Sequence, residues 1–166
     1  MECPKCKIEI SDKTGICKKC TFDVNEWDKL FKQIPKLSGY INDFANVISE
    51  NIKKEMENYI SDFYNKTKIT IVVVICKNTT PLIPSQYIFW LFNEWKIGGK
   101  NNKGVMILLS MEERRIESEV GFGLEHILTD EESGNILDNI VVPFLKETKY
   151  EEGLFAGIKS IMEKLK

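Results

Sequence analysis

Residues Asn101 to Asp130 read NNKGVMILLSMEERRIESEVGFGLEHILTD. Val105 to Leu109 is an uninterrupted apolar run of strand length, the pattern of a strand covered on both faces. Met111-Glu112-Glu113-Arg114 is a polar break short enough to turn the chain straight back, so the next segment is expected to pair antiparallel. That segment alternates. Ile116, Ser118 and Val120 face one side, and Arg115, Glu117 and Glu119 face the other. Gly121-Phe122-Gly123 bends the chain where a Cβ is costly, and Thr129-Asp130-Glu131-Glu132 reads as a capping box opening a helix.

The flanking segments supply the rest of an α/β layer structure. Lys68 to Cys76 (KITIVVVIC) is a β-branched run that cannot be exposed and is expected to form the central strand. Its terminal Cys76 reads as a small core residue rather than a nucleophile, because no histidine lies in a partner motif. Pro81 and Pro84 mark a loop and a helix start, and Ile88, Leu91, Phe92 and Trp95 form the stripe of the following helix. Phe89 and Trp90 fall off that stripe, which leaves a second buried contact or a partner-binding patch as their role. Strand, helix and strand in one sheet imply a parallel pair joined by a right-handed crossover. Ile97-Gly98-Gly99-Lys100 ends a helix and precedes a strand, the reverse of a phosphate loop.

Upstream, Ser49 is the expected N-cap of a helix with Ile52, Met56, Tyr59, Ile60 and Phe63 inward and Lys53, Lys54, Glu57 and Asn58 outward. Tyr40 to Asn46 reads as a turn whose Asn and Asp could also hold a cation. Downstream, Ile136 to Phe144 continues a helical stripe that Pro143 kinks or ends, and Glu151 to Lys166 is an amphipathic terminal helix. The fold class is α/β, a helix-flanked mixed, mostly parallel sheet (an α/β sandwich) preceded by a small N-terminal ribbon.

With 166 residues, 43% of them hydrophobic, and a formal charge of −2, the chain can bury one good core and carries no basic excess of the kind nucleic-acid binding usually shows. No apolar stretch reaches the length of a membrane span, and the start of the chain lacks an apolar signal core, so a cytoplasmic setting is expected. Cys3-Pro4-Lys5-Cys6 and Cys17-Lys18-Lys19-Cys20 are two knuckles that together complete a closed tetrahedral sulfur site. Zinc is the expected structural ion, with iron or a redox dithiol as the alternatives. Lys5, Lys7, Lys13, Lys18 and Lys19 make the ribbon basic, either as solvated lysines around thiolates or as a contact with nucleic acid or an acidic partner. Residues 1–22 are therefore read as the ribbon, 23–38 as a linker with a short helix at Asn25 to Ile34, and 39–166 as the main domain.

Several motifs in that main domain resemble the TPM domain family. They are Tyr40-Ile41-Asn42-Asp43-Phe44-Ala45-Asn46-Val47-Ile48-Ser49, Phe92-Asn93-Glu94-Trp95-Lys96-Ile97-Gly98, Asn102-Lys103-Gly104-Val105-Met106-Ile107-Leu108-Leu109, and Glu119-Val120-Gly121-Phe122-Gly123-Leu124-Glu125 with Thr129-Asp130. The resemblance implies an α/β sandwich around a mostly parallel sheet. It also implies a divalent ion, calcium or magnesium, on carboxylates at the family's acidic positions, here Asp43, Glu119, Glu125 and Asp130. Read singly, Asp43 makes a turn, Asp130 stabilises a helix start and Glu119 sits on a solvated face. Glu117 stands where relatives carry a basic residue, and His126 replaces a small residue, so neither supports phosphate chemistry, although Arg114 and Arg115 remain nearby.

Three functions follow as expectations. The first is a divalent-cation-binding adaptor or assembly module with a protein partner, since no Cys/His or Ser/His pair appears. The second is a metal-dependent acid phosphatase, as the resemblance implies for some members, with Asp43 and Asp130 as ligands. The third and weakest is nucleic-acid association through the basic ribbon.

Overall fold

The computed structural model describes residues 3, 5–10 and 15–166, so Pro4 and Lys13 of the ribbon reading lie outside the described residues. Four strands form one sheet in the order β1 (Ile41–Asp43), β2 (Thr70–Cys76), β3 (Gly104–Ser110) and β4 (Arg115–Val120). β1, β2 and β3 are parallel, and β4 returns antiparallel with Val105 opposite Val120 and Ser110 opposite Arg115. The sheet is thus mixed and mostly parallel, with helices on both faces. The odd-numbered residues of β2 and β3 (Ile71, Val73, Ile75, Val105, Ile107, Leu109) pack against α1 (Glu50–Thr67) and α5 (Tyr150–Lys164). The even-numbered ones (Val72, Val74, Met106, Leu108) pack against α2 (Pro84–Glu94). Both crossovers advance the same way across the sheet but on opposite faces, so they have opposite hands and one departs from the usual right-handed rule.

β1 replaces the turn expected between Tyr40 and Asn46. It is only three residues long, and its polar Asn42 is buried. That burial is tolerable because Asn42 is fully engaged: its Oδ1 accepts from the Ser38 N–H at 2.8 Å and its Nδ2 donates to the Gly39 carbonyl at 3.0 Å. Glu57, expected outside, turns inward instead. Its carboxylate accepts from the N–H groups of Tyr40 (3.0 Å) and Ile41 (2.7 Å) and so fixes the entry of β1.

The local expectations for helix ends are met in different degrees. Ser49 is the N-cap of α1, although its hydroxyl makes no capping bond and its N–H donates to Glu151 instead. The Thr129 hydroxyl accepts from the Glu132 N–H while Glu132 reaches back to the Thr129 N–H, a complete capping box on α3 (Asp130–Ile136). Pro143 neither ends nor sharply breaks the helical run. A π-helical turn over Leu137–Val141 absorbs the missing donor before α4 (Val142–Lys146) continues. Gly121 and Gly123 are required by close approach: a Cβ there would lie 2.2 Å from the Asn102 carbonyl oxygen and 2.1 Å from that of Asn101.

The N-terminal segment packs on α2. The short helix expected at Asn25 to Ile34 is a 3-10 helix over Val24–Leu30, with Val24 and Trp27 buried. Phe31 stacks on Trp90 with ring centroids 4.3 Å apart, and Trp90 Nε1 donates to Asp28 at 2.7 Å. Trp95 Nε1 donates to the Pro35 carbonyl at 2.8 Å. Phe89 and Trp90 are therefore core residues, and the N-terminal segment completes their cover.

Candidate metal centre and the acidic positions

Each cysteine pair sits in a turn built the same way. Cys3 N–H donates to the Ile8 carbonyl (2.7 Å) and Lys7 N–H to the Cys3 carbonyl (2.9 Å). Cys17 N–H donates to Phe22 (2.8 Å) and Thr21 N–H to Cys17 (2.9 Å). Lys7 and Thr21, equivalent in the two turns, both take left-handed backbone with φ of 63° and 56°. This repeated turn brings all four sulfurs within 4.8 Å of one another, with Cys3 to Cys20 at 3.5 Å and Cys6 to Cys17 at 3.4 Å. A tetrahedral ion at about 2.3 Å from each sulfur sets an edge of about 3.8 Å, so the cluster needs almost no rearrangement to close on one.

The electrostatics of the four sulfurs agree. At Cys17 the Cys20 N–H, working against burial and joined by the Lys19 N–H, pulls the thiol down to about 6. At Cys20 the Phe22 N–H favours the thiolate, yet burial and the neighbouring sulfurs outweigh it and push the thiol up to about 12. Sulfurs so close cannot all ionise unaided, and a divalent cation removes that conflict. Cys3 and Cys17 belong to the same apolar cluster as Trp27, Trp90 and Val74, so the centre is continuous with the α2 core.

The acidic positions behave differently. Asp43 ends β1 on one edge of the sheet, and its carboxylate accepts from the N–H groups of Ala45 (3.1 Å), Val47 (2.8 Å) and Ile48 (2.8 Å). Asp130 opens α3, and its Oδ1 accepts from the Val120 N–H at 2.7 Å, where β4 ends on the other edge. The register fixes their separation. Asp43 is level with Ile75, hence with Leu109, whereas Val120 is level with Val105, four residues back along β3. Strand spacing and rise put the two about 14 Å apart across the sheet and about 13 Å along it. Asp43 and Asp130 thus sit at diagonally opposite corners of the sheet. Glu119 is buried on the α2 face, while Glu125 is exposed in the turn after Gly123. Among the described residues the four cysteines are the one group of three or more metal-ligating side chains that converge.

Two features escaped sequence reading. Glu113, in the β3–β4 turn, accepts from the Ser110 hydroxyl and from the Thr79 N–H at 3.0 Å, which ties the β2–α2 loop to β3. Burial tends to raise its carboxyl, but those hydrogen bonds prevail and hold it below the usual glutamate range. Its contribution is therefore present above the ordinary carboxylate range and is lost as pH falls through the lower folded value. Glu113→Gln is expected to remove about 1–2 kcal/mol at pH 7, screened by partial exposure. In urea titrations the gap from wild type should close as pH falls through and below the carboxylate range; a pH-independent gap would mean that shape, not charge, matters here. The second feature is a cleft of about 650 Å³ between the β3–β4 turn and the α4–α5 corner, with Leu109, Arg114, Lys146 and Tyr150 in its wall. Its lining residues are far apart in the chain, so no local motif announces it.

A family model described as the TPM domain matches residues 41–164. Among solved structures, the N-terminal domain of a protein from P. gingivalis superposes with a TM-score of 0.71 at 24% identity, over 76% of this chain and 81% of that one. The N-terminal domain of the cg2496 protein from Corynebacterium glutamicum gives 0.62 at 15% identity, over 80% and 84%. The BA42 protein from the psychrophilic bacterium Bizionia argentinensis gives 0.63 at 19%, over 74% and 83%. At these identities the likeness is one of fold. Comparison with curated proteins gives no match.

Proposed function

The chain belongs to the TPM domain family over residues 41–164, and from that premise we propose that it is a zinc-stapled binding module, an adaptor rather than an enzyme. The observation that carries this reading is the cluster of four cysteines, whose sulfurs lie within 4.8 Å of one another, with Cys3 and Cys17 buried in the α2-face core and Cys6 and Cys20 packed against it. A closed four-sulfur shell leaves no open position for substrate, so the ion's part is structural. Zinc suits the soft ligand set better than calcium or magnesium, which prefer oxygen.

The arrangement of hydroxyls and carboxylates supports a non-catalytic role for the rest. The Ser110 hydroxyl is committed to Glu113, Cys76 is buried with its thiol pushed up to about 11 by desolvation, and Asp43 staples its own loop. No helix of the described residues is long and apolar enough to cross a membrane, which suits a module that meets its partner in solution.

The reading is tested by native mass spectrometry of protein grown with zinc, together with a phosphate-ester assay in calcium or magnesium. One zinc per chain and no turnover is the expected result. Metal-dependent hydrolysis abolished by Asp43→Asn or Asp130→Asn would replace the binding module with the phosphatase reading.

A further inference from the structure

We infer that the cleft between the β3–β4 turn and the α4–α5 corner is a binding site for a small organic anion with an apolar body. The inference is independent of the zinc reading. It rests on what the cleft is made of and where it lies. The floor is apolar, with Leu109 buried and Ile116 and Leu145 half-buried, while the rim carries Arg114, Arg115 and Lys146 against one acid, Asp138. Among the described residues neither Arg114 nor Lys146 forms an ion pair, whereas Arg115 is paired with Glu117 at 3.0 Å. In a chain of net charge −2, free cations above an apolar floor make a local preference for a negative head on a greasy body.

Position strengthens the inference. Ser110 and Met111 place the cleft just beyond the carboxyl end of β3, where open α/β sheets commonly hold their ligands. α5 begins in its wall at Tyr150, so the positive end of a fifteen-residue helix adds to the rim, although Glu151 and Glu152 follow in its first turn. Tyr150 offers a ring face for the body and a hydroxyl for the head. A guanidinium beside an ammonium suits either a phosphate or a carboxylate, since both present paired oxygens. About 650 Å³ falls within the range of small-molecule sites.

The test is an NMR titration of the zinc-loaded full chain with phenyl phosphate, 3-phenylpropionate and inorganic phosphate. Phenyl phosphate or 3-phenylpropionate is expected to bind with a Kd of about 1 mM, as ligands of this size allow. Amide shifts should concentrate at residues 109–116 and 142–150. The tighter of the two organic anions identifies the head group. Arg114→Ala should weaken binding at least tenfold, and Glu117→Gln, which releases Arg115, should tighten it severalfold. Shifts confined to other surfaces, equal affinity for inorganic phosphate, or unchanged binding in Arg114→Ala would each overturn the inference.

Discussion

Cys17→Ser is expected to lose stoichiometric zinc and to unseat the N-terminal segment from α2 while the α1/α5 side of the sheet stays folded. Cys17 is buried and holds two backbone hydrogen bonds of its own turn, so the substitution removes a ligand without disturbing distant packing. The segment has little apolar surface to hold it together alone. What it buries, it buries against α2: Ile10, Phe22, Val24 and Trp27 are all within 7% of full burial and belong to the α2-face cluster. At about 1.5–3 kcal/mol each, their burial represents roughly 6–12 kcal/mol as an upper value, all of which depends on the turns that the sulfurs hold. Zinc content should fall from one per chain to well below one. Tryptophan emission should shift to the red as Trp27 and Trp90 become wet, and far-UV circular dichroism should keep most of its helical signal. Zinc loss with unchanged tryptophan emission would separate the metal from the docking and defeat the staple.

Trp90→Ala should destabilise the chain by about 3–5 kcal/mol, the range for emptying a large aromatic site in a core. Trp90 is 1% exposed, stacks on Phe31, contacts Tyr87 at 5.5 Å between centroids, and donates its indole N–H to Asp28. For a chain of this size that corresponds to a melting temperature lower by about 10 °C. Trp90→Phe keeps a ring in the site and loses the Asp28 bond, so it should cost about 1 kcal/mol plus a partial cavity. Zinc affinity gives the sharper readout. If the N-terminal segment and α2 share one core, Trp90→Ala weakens zinc binding measured by competition with a chelator, although Trp90 is not a ligand. Zinc affinity equal to wild type would make the two units energetically separate.

The difference between these outcomes bears on what can be read from residues in order. Val105 to Leu109, the Met111–Arg114 break and the alternation from Arg115 to Val120 specified a hairpin because each feature is complete within a dozen residues. The Thr129 capping box and the Cys-x-x-Cys turns are likewise local, and each appears in the fold with its own hydrogen bonds. The placement of Asp43 and Asp130 at opposite corners of the sheet was not legible for the opposite reason. Each has acidic chemistry and a suitable loop, but whether they meet depends on the register of four strands, which neither residue encodes.

β1 shows the same limit at smaller scale. Three residues with Asn and Asp among them carry no strand pattern, and the strand exists because β2 offers an edge and Glu57, from α1, holds two of the N–H groups at its entry. Strand type, helix caps and the sulfur ligand set were thus local properties of the chain, set by periodicity, side-chain chemistry and spacing. The seating of the N-terminal segment on α2, the scattering of the carboxylates and the cationic cleft belong to tertiary structure alone. They arise from contacts between residues tens of positions apart, where strand order and helix packing choose the neighbours.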